Sequence, residues 1–305
     1  MAPPTSRLNA AAVLPGARPL LGLLAALLVV LLWAGFLLLS RYGVREAVAP
    51  VDMAALRFGV SGAVMLPVLW HFGFGGLVWW RCLVLAFTGG LGFAVWVYVG
   101  FTLAPAAYGA ILLPGMLPLY TTLIAWVLLG DRPGLARLLP LTLILGGVVS
   151  LGAGSLALGD DGRLIGAGLF LMSSFMWACF TVLLRRWQIE AIRGTAVVTV
   201  VSAALYLPLY LAFLPVGVHR LDATTLVVQG VYQGIFSVIV ALLAFAFAVR
   251  NLGPTTTTMI TALTPAVVAL AAVVLLDEPL TVAVGLGATL VVAGGILTAR
   301  AATRR

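Results

Sequence analysis

The stretch GLLAALLVVLLWAGFLLLSR, residues 22–41, decides how this chain is read, because residues 166–185, GAGLFLMSSFMWACFTVLLR, repeat its landmarks. Gly22, Trp33, Phe36 and Arg41 match Gly166, Trp177, Phe180 and Arg185, each pair 144 residues apart. Leucine matching leucine means little in so apolar a chain, whereas Trp and Arg at one spacing inside two hydrophobic runs mark an internal duplication. Later landmarks agree: the tripeptide ending at Pro105 with that ending at Pro254, Pro118 with Pro265, and Pro133 with Pro279. Offsets of 144 to 149 leave room only for small insertions, so the second half is a copy of the first.

With 305 residues, 63% hydrophobic and 9% charged, the chain departs from soluble domains, whose charged fraction is about 25%. Ten apolar runs of roughly 20 residues, each able to cross a hydrocarbon core of about 30 Å, use nearly the whole length. They predict an all-α integral membrane protein of ten transmembrane helices, with no soluble domain. The expected organisation is a cytoplasmic N-terminal tail over 1–19, a first repeat over 20–158 and a second over 164–300. The run from Leu20 to Leu39 is longer than the apolar core of a signal peptide and reads as a retained first helix.

All 17 basic residues are Arg and the net charge is +8, a balance that invites a nucleic-acid reading until the positions are examined. With the N-terminus cytoplasmic, Arg7, Arg18, Arg81, Arg132, Arg137, Arg185, Arg186, Arg193, Arg250, Arg300, Arg304 and Arg305 fall inside. Only Arg41, Arg45, Arg163 and Arg220 fall outside, which is the positive-inside bias of a bacterial-type inner membrane protein with both termini cytoplasmic. No basic stripe is interleaved with aromatics on a polar face, so no nucleic-acid partner is expected. Cys82 and Cys179 sit in apolar helices and read as small buried hydrophobes, and no metal or other cofactor is implied.

Along the chain the expected helices are Leu20–Ser40, Val51–Trp70, Cys82–Leu103, Ala106–Gly130 and Leu135–Ala157, then Leu164–Leu184, Thr195–Val216, Thr225–Val249, Thr255–Leu276 and Leu280–Ala299. Arg57 lies about 9 Å into the second helix. A charge there is costly unless it reaches the headgroups or finds a partner, so it either snorkels or holds an anion in a cavity. The third helix carries Thr88, Gly89, Gly92 and Trp96, a small-residue stripe ending in an aromatic. Pro114 and Pro118 inside the fourth helix, and Pro265 in the ninth, free backbone carbonyls that need protein or water to face. Paired interruptions in corresponding segments of two repeats point to a transporter's central site.

In the fifth and tenth helices, Gly146, Ser150 and Gly154, and Gly285, Thr289 and Ala293, read as packing faces, with dimerisation as a further use. Ser173, Ser174, Trp177 and Thr181 share a broad face of the sixth helix. The eighth is the most polar: Gln229, Tyr232, Gln233, Phe236 and Ser237 recur at three- and four-residue intervals and predict one face, serving either a ligand or interhelical hydrogen bonds.

Ten helices in two five-helix repeats, the Trp33-x-x-Phe36 pair, the spacing from Pro50 to Arg57, and the kinked helices leading to Asp131-Arg132 and Asp277-Glu278-Pro279 resemble the drug/metabolite transporter superfamily, in its EamA-like branch. The resemblance spans about nine-tenths of the chain and rests on order and duplication; Asp131-Arg132 departs from the commoner Glu-Arg. It implies two repeats inserted in opposite senses, as an odd number of helices per repeat requires. It also implies an exporter of small metabolites such as amino acids, with a midplane site lined by helices 1, 3, 4, 6, 8 and 9.

The expected substrate-binding residues are Trp33, Phe36, Arg57, Trp96, Pro118, Trp177, Gln229, Tyr232, Gln233 and Pro265. Aromatic supply with few charges favours a small amphipathic substrate; phosphorylated or nucleotide-linked metabolites are the alternative and want more buried cations than Arg57. The partners expected are that substrate and the bilayer, with the protein a monomer or homodimer. An enzyme needs clustered catalytic groups, yet His71 and His219 lie near helix ends and Asp160-Asp161 stands without partners. A non-transporting sensor does not require duplicated, Pro-broken helices around a polar face. No acidic residue is expected inside a helix core, which predicts transport without proton coupling.

Overall fold

A computed structural model describes residues 18–131, 134 and 138–303, with side chains through residue 301. Most of the expected tail lies outside the described residues, as do Arg7, Arg132, Pro133, Arg137, Arg304 and Arg305. Among the described residues there is no strand, and 10 helices are long and apolar enough to cross a bilayer. The first repeat holds α1 (Pro19–Arg45), α2 (Pro50–Phe72), α3 (Trp79–Leu103), α4 (Ala106–Leu129) and α5 (Leu138–Ala157). The second holds α6 (Asp161–Arg186), α7 (Ala191–Phe213), α8 (Ala223–Leu252), α9 (Pro254–Leu276) and α10 (Val282–Thr303). An even number of spans places residues 18 and 303 at one end of the bundle, the termini end; the opposite is the far end.

Local chemistry fixes where the helices start and stop. Pro19, Pro50 and Pro254 occupy the first turns of α1, α2 and α9, where a missing N–H costs nothing. Asp160 and Asp222 cap α6 and α8 by accepting from the backbone N–H groups of Arg163 and Thr225. Hydrogen bonds from the Thr225 hydroxyl and N–H hold the Asp222 carboxyl below the usual range. Gly130, at φ 75°, closes α4 in a left-handed conformation open to glycine.

The duplication is visible in packing. Gly22 of α1 lies against Asn251 and Leu252 at the end of α8, and Gly166 of α6 lies against Gly100 and Ala104 at the end of α3. At both places a Cβ would fall within 3 Å of a neighbouring side-chain carbon, so the recurring glycine is a contact the two repeats make in inverted form. Helices α1, α3, α4, α6, α8 and α9 surround the centre. The α2–α7 pair flanks one side and the α5–α10 pair another. The Gly146, Ser150, Gly154 stripe faces α10, with Ser150 Oγ donating to the Ala283 carbonyl at 3.0 Å. Thr289 of the other stripe is exposed, and no neighbour lies within 4 Å of a Cβ on Gly285.

Helical regularity fails at corresponding places. A π-helical segment runs over Phe87–Leu91 in α3 and another over Tyr232–Val240 in α8, their starts 145 residues apart. Such bulges frequently mark functional sites. The proline helices differ more than the sequence predicts. α9 breaks at Ala262 and Leu263 and restarts with Pro265 in its first turn, whereas α4 runs unbroken through Pro114 and Pro118. Threonines back-bond in both helices, Thr121 and Thr122 to the Leu117 and Pro118 carbonyls in α4, and a longer run of them in α9. Thr257, Thr258, Thr261 and Thr264 donate to carbonyls three or four residues back and satisfy the backbone at the break.

Two acidic residues lie at helix ends, as expected, and are nonetheless buried there. Asp52, in the first turn of α2, is 3% exposed and accepts from the Tyr210 hydroxyl and the Gly217 N–H. Glu278, just after α9, is 8% exposed and bound by Arg41. Sequence position placed both at helix ends, but neighbouring helices overhang those ends.

Candidate functional site

A cavity of about 110 Å³ lies at the middle of the bundle between the repeats. Helix α1 contributes Trp33, Phe36 and Leu37, α2 contributes Arg57, and α3 contributes Phe93. Helix α4 adds Leu113, Pro114 and Leu117, α6 adds Ser174 and Trp177, and α8 and α9 add Ser237 and Thr264. The walls are mostly aromatic and aliphatic with a few polar groups, the usual make-up of a small-molecule site.

Arg57 is the one charge in that lining, and it is 8% exposed. Its Nη1 donates to Ser237 Oγ at 3.1 Å and to the Gln233 carbonyl at 3.3 Å. The π-helical turn of α8 presents that carbonyl, since the 3.6-residue ladder is relaxed there. The guanidinium stands over Phe36 and Phe93, 5.2 and 5.9 Å from the ring centroids. Phe36 and Phe93 stack at 6.3 Å, and Phe93 meets Trp177 at 4.9 Å. Arg57 therefore points into the bundle rather than snorkelling. Among the described residues no carboxylate pairs with it.

Of the expected site residues, the structure brings Trp33, Phe36, Arg57 and Trp177 together around the cavity. Gln229, Tyr232 and Gln233 stand instead against α1. Gln229 donates to the Leu39 carbonyl, Gln233 to Ser40 Oγ and Gln229 Oε1, and Tyr232 to the Leu32 carbonyl. Gly35 exists for this contact, because a Cβ there would strike the Tyr232 hydroxyl. Trp96 is exposed on the outer side of α3; Phe93, one turn earlier, takes the inward position. Pro118 and Pro265 flank the cavity without lining it, and their neighbours Leu117 and Thr264 do so. Pro114, one of the two prolines the sequence singles out in the fourth helix, lines the cavity, whereas Phe93 carried no distinguishing sequence signal beyond proximity to the glycine stripe.

The cavity is closed toward the far end. Ser40, Tyr98, Phe101, Gln229 and Gln233 above it are buried, and Tyr98 hydroxyl donates to Gln233 Oε1 at 3.3 Å. Arg41 Nε pairs with Glu278 Oε1 at 2.7 Å, and Glu278 Oε2 accepts the Ala106 N–H at 2.8 Å. Arg41 also donates to the Phe101 carbonyl and Arg45 to the Leu276 carbonyl, so α1, α3, α4 and α9 are tied at one point. Toward the termini end burial falls along one face of α6, while α1 stays buried through Ala26 and Gly22. On α6, Ser174 is buried, Trp177 half-buried and Thr181 exposed.

At the termini end Arg185, the repeat partner of Arg41, makes a similar pair in the open. Arg185 Nη1 pairs with Asp131 Oδ2 at 2.7 Å, and Arg186 donates to the Leu128 carbonyl at 3.2 Å. A wider pocket of about 590 Å³ lies beside this pair, lined by Trp80, Arg81, Leu128, Leu183, Arg186, Trp187 and Gln188. Arg81 is held over the Trp80 and Trp187 rings, at 5.4 and 5.2 Å. Arg and Trp together at this level fit an interfacial belt.

The fold and the central cavity define a membrane transporter built from two inverted five-helix repeats. The sequence pattern of the EamA-like transporter family matches residues 20–153 and 164–300, and the chain belongs to that family, within the drug/metabolite transporter superfamily. A curated relative, an uncharacterized protein of Pseudomonas aeruginosa, is 36% identical over 172 residues. That match spans 53% of this chain and 55% of the relative, about half of each. A solved crystal structure shares the fold, with 23% identity, a TM-score of 0.59, and coverage of 90% of this chain and 95% of that one.

Proposed function

We propose that this protein is a secondary transporter that exports small amphipathic metabolites, amino acids and their relatives among them, across a bacterial-type inner membrane by alternating access. The observation that carries this reading is the midplane cavity between inverted repeats, closed at one end by a buried ion pair whose counterpart at the other end is exposed. In the cycle, the Arg185–Asp131 pair closes and becomes buried as the Arg41–Glu278 pair opens. The runner-up, a carrier of phosphorylated or nucleotide-linked metabolites, fits less well. A cavity of about 110 Å³ is small beside the 300–1,000 Å³ of drug-sized sites, and its lining holds a single cation. The protein acts as a monomer or homodimer, with the termini in the cytoplasm.

Two experiments test this. In proteoliposomes loaded with a panel of small metabolites, counterflow of at least one amphipathic compound is expected, and failure of the whole panel speaks for a non-transporting sensor. For orientation, the background is a protein lacking Cys82 and Cys179. Gly134→Cys should be shielded from an impermeant thiol reagent in intact cells and Gly162→Cys labelled; the reverse pattern overturns the topology.

A further inference from the structure

We infer that the cavity recognises the carboxylate of a small monocarboxylic acid through Arg57, with the apolar body of that acid, about one ring in size, against Trp33, Phe93 and Trp177. This rests on the transporter reading and narrows it to a substrate class.

A guanidinium in the interior of a membrane bundle costs several kcal/mol unless an anion compensates it. Arg57 has the Ser237 and Tyr98 hydroxyls, a backbone carbonyl and two ring faces as neighbours, but no carboxylate pairs with it among the described residues. Nη1 makes the bonds to Ser237 and the Gln233 carbonyl, and the residue lines the cavity. A carboxylate matches the remaining donors in the forked geometry that guanidinium prefers. The same lining contains no acidic side chain for a substrate ammonium, and Arg57 already occupies the faces of Phe36 and Phe93. A free amino group therefore finds no carboxylate in the lining to pair with. The remaining wall is apolar, and Ser174 and Thr264 supply hydroxyls at its edge.

The test compares phenylacetate, phenylacetamide, 2-phenylethylamine and L-phenylalanine on the purified full-length protein, by tryptophan fluorescence titration and by uptake into proteoliposomes against protein-free liposomes. Phenylacetate should bind about ten- to a hundredfold more tightly than its amide and the amine, and at least as tightly as phenylalanine. Arg57→Gln should erase the acid-over-amide preference, and Arg57→Lys should restore part of it. Equal binding of acid and amide to the unaltered protein overturns the inference without any variant, as does absence of binding by all four. A preference that survives in folded Arg57→Gln overturns it as well. Acid-selective binding without uptake of any probe leaves the anion site standing and counts against the transporter reading. Uptake with no acid preference does the opposite.

Discussion

The two ends of the bundle carry matching Arg–carboxylate pairs in opposite states. At the far end Arg41 and Glu278 pair with side chains 18% and 9% exposed, and Arg45 reaches the last carbonyl of α9. At the termini end Arg185 and Asp131 pair with side chains 63% and 45% exposed, and Arg186 reaches a carbonyl in the last turn of α4. Arg41 and Arg185 are the duplicated residues 144 apart, so the difference does not come from the sequence motif. It comes from which end the helices have converged on. An exposed ion pair contributes about 0–1 kcal/mol, whereas breaking a buried one leaves an unpaired charge at a cost of about 3–5 kcal/mol. One end is latched and the other is only bridged.

Substitutions should separate the ends in that order. Glu278→Gln, which strands Arg41, should lower stability of the far-end-closed state by about 3 kcal/mol or more, read as a fall in thermal unfolding midpoint in detergent. Next comes Gln233→Leu, just beneath the latch. It removes the partner of Ser40, Gln229 and Tyr98 and should cost about 1–3 kcal/mol, with transport by the folded fraction retained. Asp131→Asn, the counterpart of the first change, should shift stability by no more than about 1 kcal/mol. An equal effect of Glu278→Gln and Asp131→Asn would remove the distinction between the ends. Finally, Asp52 and Glu278 are buried but neither lines the cavity. With equal substrate on both sides, an imposed pH gradient should therefore produce no net accumulation of a substrate whose charge stays constant. Accumulation abolished by a protonophore would show that one of these carboxylates titrates during the cycle.

The fold was legible because membrane burial writes itself into composition and because Trp and Arg recur at one offset. About half the candidate site was legible for a related reason: Trp33, Trp177 and Arg57 are rare residue types inside apolar runs, and rarity carries information. By its sequence the helix 8 face suits a ligand or interhelical bonds equally, because spacing puts polar groups on one side without saying what that side meets. Gln229, Tyr232 and Gln233 bond to α1, while Ser237 bonds to Arg57 and lines the cavity. Trp96 is exposed and outside the cavity lining, since an aromatic beside a glycine stripe packs equally well on lipid. The burial of Glu278 was hidden because a loop's sequence does not say which helix overhangs it.

The central claim is that the resting protein is latched at the far end and open toward the termini end. It is tested most directly by single cysteines at Ser40 and Thr181, in a background lacking Cys82 and Cys179, labelled with impermeant thiol reagents from each side of sealed vesicles. Thr181→Cys should react from the termini side and Ser40→Cys should stay protected from both sides. Adding Glu278→Gln should expose Ser40→Cys to the far side. Labelling of Ser40→Cys from the far side without the second substitution, with Thr181→Cys protected, would contradict the account.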